Sequence, residues 1–354
     1  FEILALVFCR RGHPNDRHPL RLGKIETWRL GVVAGGVAFL VAGAFVPLLV
    51  RFAVGRNLLD VPNLRSSHEV PTPRLGGVAI FLGMLAGVSI LRPVGLWPLL
   101  AAAALVWAVG LADDLSNLHF GVKAVLQALA AVGLLLLYPP TILTDAPGLL
   151  GVLVFAVGVF WLMALSNAFN FMDGIDGITG GVALVNALFL APLVGQAGSF
   201  LPALIGATAG FLIWNINPAS IFLGDSGAYF LGFSLAAVAF YAPALSGQEW
   251  TPLGFLACVV VFTPYLFDTA YTLVRRLRSG AGKSIFLAHR EHIYQRITPT
   301  TGMHRRTSNL YYGASVIAGF AALLISRGDV LSFVGVALAL ACCALLAALP
   351  KLIS

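Results

Sequence analysis

Two carboxamides, two carboxylates and four glycines follow one apolar run of the chain, in the stretch Asn167-Ala-Phe-Asn-Phe-Met-Asp173-Gly-Ile-Asp176-Gly-Ile-Thr-Gly-Gly181. Asn167, Asn170 and Asp173 recur every three residues, so neighbours among them share a helix face. Gly174 and Gly177 then break the helix and let backbone approach a ligand. An ionisable group inside a bilayer costs roughly 2.5–3.5 kcal/mol on insertion scales, so such a cluster beside lipid-phase sequence implies a site at a membrane surface.

Four further stretches carry chemistry. Ala112-Asp113-Asp114-Leu115 ends another apolar run. Successive helical residues point about 100° apart, so one carboxylate can face a metal while its neighbour faces a second group. Two adjacent aspartates repel, and a divalent cation relieves that repulsion. In Pro218-Ala-Ser-Ile-Phe222-Leu-Gly224-Asp225-Ser226-Gly227 the proline and glycine define a loop that presents Asp225 just before the next apolar run. Asp225 or Ser226 could equally be the N-cap of that run, and capping competes with metal binding for the same oxygens. His289-Arg290-Glu291-His292 spaces two histidines three apart, which on a helix shares a face, with Arg290 and Arg296 near for phosphate oxygens. Zinc is disfavoured, because the remaining polar ligands are hard oxygens. The loop Asp60 to Gly77 carries three prolines and ends in Gly76-Gly77, the wall of a pocket when set beside the others.

The elements that must position these groups are apolar. Of 354 residues 59% are hydrophobic and 10% charged, and the mean hydropathy is +0.91, which predicts an all-α, polytopic integral membrane protein with no soluble domain. Eleven spans are predicted, at roughly 29–50, 75–92, 97–112, 121–138, 150–166, 178–195, 199–215, 228–245, 253–274, 309–326 and 329–349. Residues 1–28 read as an N-terminal tail, either a non-native leader or a basic arm, and 29–350 as a single transmembrane catalytic domain. The four cysteines lack metal-ligand spacing and read as small core residues. Loops after the odd-numbered spans hold thirteen basic residues, Lys123 among them, and the opposite loops only Arg92 and Arg327. The first set is therefore cytoplasmic, and the net charge of +7 reports membrane anchoring rather than nucleic acid. Nine of the fifteen acidic residues fall in those same loops, which suits a charged water-soluble substrate and a metal.

In combination the motifs become specific. The chain resembles the polyprenyl-phosphate N-acetylhexosamine-1-phosphate transferases through Pro-Thr-Pro-Arg-Leu-Gly-Gly at 71–77, Asp113-Asp114, the Asn-x-x-Asn-x-x-Asp-Gly-x-Asp-Gly motif at 167–177, Pro-Ala-x-x-Phe-x-Gly-Asp-Ser-Gly at 218–227 and the histidine loop. They occur in the family's order over roughly residues 29–350. The resemblance implies transfer of a sugar 1-phosphate from a UDP-HexNAc to undecaprenyl phosphate at the cytoplasmic face of a bacterial inner membrane, with release of UMP. It implies Mg²⁺, with Mn²⁺ as a substitute, held by Asp225 with Asn170 as a second contributor. Asp113 and Asp114 match the pair assigned to lipid-phosphate activation and metal assistance, and Asp173 and Asp176 match positions lining the nucleotide-sugar site. His292 completes the catalytic set. Asn215 and Phe222 fall where the family holds the uridine, while Arg290 with His292 would meet the diphosphate. Asn167, Lys123 and His289 are the remaining substrate-binding positions, and a homodimer is expected by resemblance alone.

No acid follows the aspartate pair in Leu115-Ser-Asn117-Leu-His119, a departure from many relatives that bears on any role for a third acid. The Pro-Thr-Pro-Arg loop and the His289-Arg-Glu-His292 version of the last loop, poorer in histidine than that of the peptidoglycan branch, resemble the branch that starts O-antigen-like, enterobacterial-type or teichoic polymers. The rival class is an ion-coupled secondary transporter, since intramembrane carboxylates mark ion pathways. Such a carrier places its acids near the midplane on broken helices, often with inverted repeats, and here they sit at span ends on one side with no repeat visible.

Overall fold

The computed structural model describes residues 20–62, 70–92, 95–140, 142–143, 146, 148–195, 200–245, 251–280, 290–301 and 304–353. The main helices, in chain order, are α1 (Leu20–Gly55), α2 (Gly76–Leu91), α3 (Trp97–Ser116), α4 (Phe120–Leu137), α5 (Gly148–Phe171), α6 (Ile178–Val194) and α7 (Leu201–Asn215). They continue as α8 (Gly224–Leu245), α9 (Pro252–Val260), α10 (Thr263–Arg278), α11 (Ile293–Thr301), α12 (His304–Ile325) and α13 (Leu331–Ile353). Two short strands, β1 (Leu59–Asp60) and β2 (Thr72–Pro73), pair antiparallel with Leu59 opposite Pro73. The protein is an all-α, multi-pass membrane protein.

Ten of the eleven predicted spans each coincide with one helix, but the count of eleven crossings is not reproduced. Among the described residues six helices are long and apolar enough to cross a membrane, seven if the α9–α10 pair is one span. Three of the helices fall short of the about 20 residues a crossing takes. α2, α6 and α7 are apolar but have only 16, 17 and 15 residues. Apolarity in a window does not distinguish a helix facing lipid from one facing protein. The predicted straight span at 253–274 is two helices bent by 79°, where Pro264 near the start of α10 cannot donate to the preceding turn. α1 begins at Leu20, ahead of the predicted boundary near residue 29, and α12 begins at His304 rather than 309.

α8 is the hub, buried on every side from residue 226 to 241. Helices meet through glycine, as expected where small residues let backbones approach in lipid. A Cβ on Gly206 would lie 2.0 Å from the Gly35 carbonyl oxygen, joining α7 to α1. One on Gly110 would lie 2.6 Å from backbone atoms of both Asp225 and Ser226, joining α3 to the first turn of α8. Gly133, on α4, has nothing within 4 Å of that position.

Gly110→Ala should therefore lower the thermal unfolding midpoint of the detergent-purified protein, by an overpacking cost of about 1–3 kcal/mol. Gly133→Ala, with open space, should leave the midpoint unchanged or raise it.

Candidate active site

The site lies where α3, α4, α5 and α8 end or begin. α3 stops at Ser116 because Asn117 takes a left-handed conformation, φ 50°, which asparagine tolerates. Asp113 Oδ1 then accepts from the Leu118 N–H at 2.7 Å, and the His119 ring accepts from Gly121 N–H to start α4. One turn into α4, Lys123 Nζ donates to Asp113 Oδ2 at 2.5 Å and lies 3.4 Å from Asp225 Oδ2. The same ammonium stands 5.9 Å from the centre of the Tyr229 ring. One lysine thus bridges two carboxylates from different helices.

Asp114 performs a different task from its neighbour. Its Oδ1 accepts from the Asp225 N–H at 2.8 Å, and its Oδ2 accepts from the Ser226 N–H at 3.0 Å and the Ser226 hydroxyl at 2.7 Å. A carboxylate on α3 is therefore the N-terminal cap of α8, where backbone N–H groups and the helix dipole favour negative charge. The sequence left Asp225 or Ser226 as the candidate for that cap. With the cap supplied from another helix, the Asp225 carboxylate, 31% exposed, meets Lys123 and the Asp113 side of the site instead. Gly224 before it has φ +75°, and a Cβ there would strike the Arg74 carbonyl and the Asp114 carboxylate.

The 71–77 loop braces this junction through backbone. Phe222 N–H donates to Pro73 O, Gly76 N–H to Phe222 O and Gly77 N–H to Leu223 O, all within 2.9 Å. Trp107 Nε1–H donates to Gly77 O, and Arg74 pairs with Asp60.

α5 ends at Phe171 and α6 starts at Ile178 after Gly177 at φ +76°, so the glycines break the helix as the sequence predicts. Asn167 and Asn170 lie on α5, and Asp173 lies just past its end. The Asn167 amide donates to Gln127 Oε1 and Met163 O, tying α5 to α4. Asp176 is buried and accepts from the Asn217 amide at 2.8 Å and the Ala219 N–H, with the His304 ring 3.4 Å away. Burial pushes its carboxyl up, but the His304, Asn217 and Ala219 contacts outweigh this and hold it below the ordinary carboxylate value. Burial instead raises Asp173 to about 7; the Thr179 hydroxyl offsets part of this and the Asp114 charge adds to it. Asn215 accepts from Gly177 N–H and donates to Ile221 O, joining the two loops that hold Asp176 and Phe222.

The last loop approaches from the other side. His292 is buried immediately before α11, not on it. His289 itself lies outside the described residues. Arg290 is exposed. Glu291 pairs with buried Arg276, and the Tyr294 hydroxyl donates to Phe171 O, bringing the loop to the end of α5.

Three residues outside the expected set help build the site. His304 and Asn217 hold Asp176, and no spacing in the sequence links them to it. Asp268 is fully buried inside α10, and its signal was available: an acid in the middle of Tyr265-Leu-Phe-Asp268-Thr-Ala-Tyr is costly unless it is used.

A family model described as glycosyl transferase family 4 matches residues 96–242, from the start of α3 into α8. The chain is 27% identical over 314 residues to a probable undecaprenyl-phosphate N-acetylglucosaminyl 1-phosphate transferase of Bacillus subtilis, covering 84% of this chain and 86% of the relative. It is 30% identical over 394 aligned positions to a decaprenyl-phosphate N-acetylglucosaminephosphotransferase of Mycobacterium tuberculosis, covering 84% and 95%. An undecaprenyl-phosphate alpha-N-acetylglucosaminyl 1-phosphate transferase of Thermotoga maritima is 33% identical over 229 residues, covering 64% and 68%. The chain belongs to glycosyl transferase family 4. Within it, the chain falls in the polyprenyl-phosphate N-acetylhexosamine-1-phosphate transferase superfamily, on the GlcNAc-1-phosphate transferase-like branch. Membership counts against the ion-coupled carrier.

Asp114→Ala should lower the unfolding midpoint, since hydrogen bonds to a charged group are worth about 1.5–3 kcal/mol each. Asp225→Asn should leave it unchanged or higher, and equal losses from both would contradict the division of labour. A second expectation concerns pH. Folded Asp173 holds its proton up to about 7, whereas the unfolded chain releases it near 3.8, the ordinary value for aspartate. The stability this gives is complete below 3.8 and is lost as pH rises through about 7. Asp173→Asn should thus gain stability over wild type between pH 5 and 7.5, read as a widening gap between melting midpoints.

Proposed function

We propose that the protein transfers a HexNAc 1-phosphate from a UDP-sugar to undecaprenyl phosphate, giving undecaprenyl-diphosphate-sugar and UMP. A phosphate oxygen of the lipid forms a bond to the sugar-linked phosphorus, the anhydride bond between that phosphorus and the nucleotide breaks, and UMP leaves with the former bridging oxygen. Such transfers need charge neutralisation and in-line positioning more than covalent work. The observation that carries the reading is the Asp113–Lys123–Asp225 bridge beside an α8 cap supplied from elsewhere. It leaves carboxylates and an ammonium facing one spot at the helix ends.

The residues fit Mg²⁺. No group of three His, Cys, Asp or Glu in metal-holding geometry occurs among the described residues. Mg²⁺ is bound through one or two carboxylates plus substrate phosphates, so Asp225, with Asp113 across Lys123 and Asn170 near the end of α5, is the donor set this ion asks for. When bound, the ion supplies charge neutralisation at the diphosphate. Lys123 balances the acids and meets a phosphate oxygen, while Arg290 and His292 approach the diphosphate from the last loop. Asp173, Asp176, Asn215 and Phe222 line the nucleotide-sugar side, with Asn167 beside it. The acceptor phosphate is largely ionised at neutral pH, its second pKa being about 6, so Asp113 serves to place it more than to deprotonate it.

The relatives' names support N-acetylglucosamine as the sugar and initiation of a cell-surface polysaccharide as the setting. The thirteen-to-two distribution of basic residues supports a site facing the cytoplasm of a bacterial inner membrane. A homodimer stays a proposal by resemblance.

The test is UMP release from radiolabelled UDP-HexNAc by purified protein with undecaprenyl phosphate, with and without Mg²⁺. Label should enter the lipid phase only with metal, and Asp225→Asn should lose at least about a hundredfold in rate, the size of effect seen when one charge-stabilising group is removed. Folded wild-type protein silent with every UDP-HexNAc offered would end the reading.

A further inference from the structure

Asp268 is fully buried in α10, and five donors converge on it. Its Oδ1 takes the Thr272 hydroxyl at 3.1 Å, the Ile293 N–H at 2.9 Å and His292 Nδ1 at 3.1 Å. Its Oδ2 takes the Tyr294 N–H at 3.2 Å and the Tyr311 hydroxyl at 2.5 Å. Two of the five are the first backbone N–H groups of α11, which prefer a negative partner. An isolated buried carboxylate is costly, and this one is retained with its acceptor capacity filled.

That arrangement constrains the histidine. A carboxyl group surrounded by donors acts only as an acceptor, so the proton in the 3.1 Å contact sits on His292 Nδ1. The ring is flanked as well, with Phe171 at 6.3 Å and Tyr294 at 6.0 Å between ring centres and planes inclined by 28° and 30°. Nδ1 is committed to Asp268, so any contact of His292 with substrate passes through Nε2. In the neutral ring Nε2 is then an acceptor, and in the cation it is a second donor toward phosphate, with the buried carboxylate behind it supporting the charge.

We propose that Asp268 is a positioning residue that fixes His292 in the Nδ1–H form and aligns the ring so that Nε2 is its working atom. Asp268 touches no substrate; it acts through the ring and through the turn that leads into α11. The inference rests on the reading of His292 as a diphosphate contact, but its tautomer is decided separately from turnover.

The test has two arms. Histidine-labelled ¹⁵N spectra of the wild-type protein in detergent, with His292→Gln as the assignment control, should show a protonated Nδ1 and a bare Nε2 for His292 above the pH at which the ring is neutral. A bare Nδ1 overturns the proposal whether or not the enzyme turns over. In the kinetic arm, His292→Gln places an amide where Nε2 stands and His292→Asn places one where Nδ1 stands. The glutamine variant should keep at least about tenfold more kcat than the asparagine variant, within the span that a single positioned proton-transfer group commands. An asparagine variant equal to or better than glutamine overturns the proposal. Asp268→Asn, which offers an N–H to Nδ1, should lose kcat at least about a hundredfold with KM for undecaprenyl phosphate unchanged. If Asp268→Asn does not fold, the tautomer and the Gln–Asn comparison still decide. Wild-type protein without transfer but with the Nδ1–H spectrum would fail the proposed function and leave this inference standing.

Discussion

The constraint on which this molecule depends is a helix start that cannot cap itself. α8 is buried along its length, so the N–H groups of its first turn have no water to turn to. Asp114 meets them from α3, Gly110 lets α3 come close enough for it to do so, and Gly77 admits the β2–α2 loop from the opposite side. The neighbouring residue on each helix is thereby presented to the opening between them: Asp113 from α3, Asp225 from α8. Adjacent aspartates thus face different ways, one turned inward to cap α8, the other turned to a lysine.

The same pattern recurs around the site. Asp176 accepts from Asn217 and Ala219 with His304 beside it, and Asn215 joins two loops with one bond accepted and one donated. Asp173, in contrast, is held in surroundings that disfavour its charge. Strain of this kind at a binding site is offset by packing elsewhere, here by glycine contacts between α1 and α7 and by the buried length of α8.

Much of this was legible in the sequence, and the parts that were not share a cause. Composition gave the class, and the apolar runs gave the helices, because burial in lipid and burial in protein leave the same signature. That equivalence is also why eleven apolar runs do not establish eleven crossings: α2, α6 and α7 are apolar yet short. The aspartate pair, the 167–177 motif and the 218–227 loop were readable as a site because acids beside apolar runs need a reason. Which acid would do what was not readable. The cap on α8 comes from residue 114, more than a hundred positions earlier, and Asp176 is held by His304, 128 positions later. Local spacing carries periodicity but not tertiary partnership. Asp268 could have been found, since its cost in mid-helix was visible, but it was grouped with the loops because its burial was not.

Gly174 illustrates what such long-range partnership does to the meaning of a motif residue. A Cβ there would sit 2.1 Å from the Tyr294 hydroxyl, the group that reaches the end of α5. The glycine is a socket for a key carried 120 positions further on. Any side chain at 174 would eject the tyrosine and, with it, the turn bearing His292. A saturation scan would therefore score Gly174 as sharply as a catalytic acid, although its contribution is to be empty. Variation at 174 and at 294 should be correlated across relatives, with bulk at one tolerated only where the other has shortened.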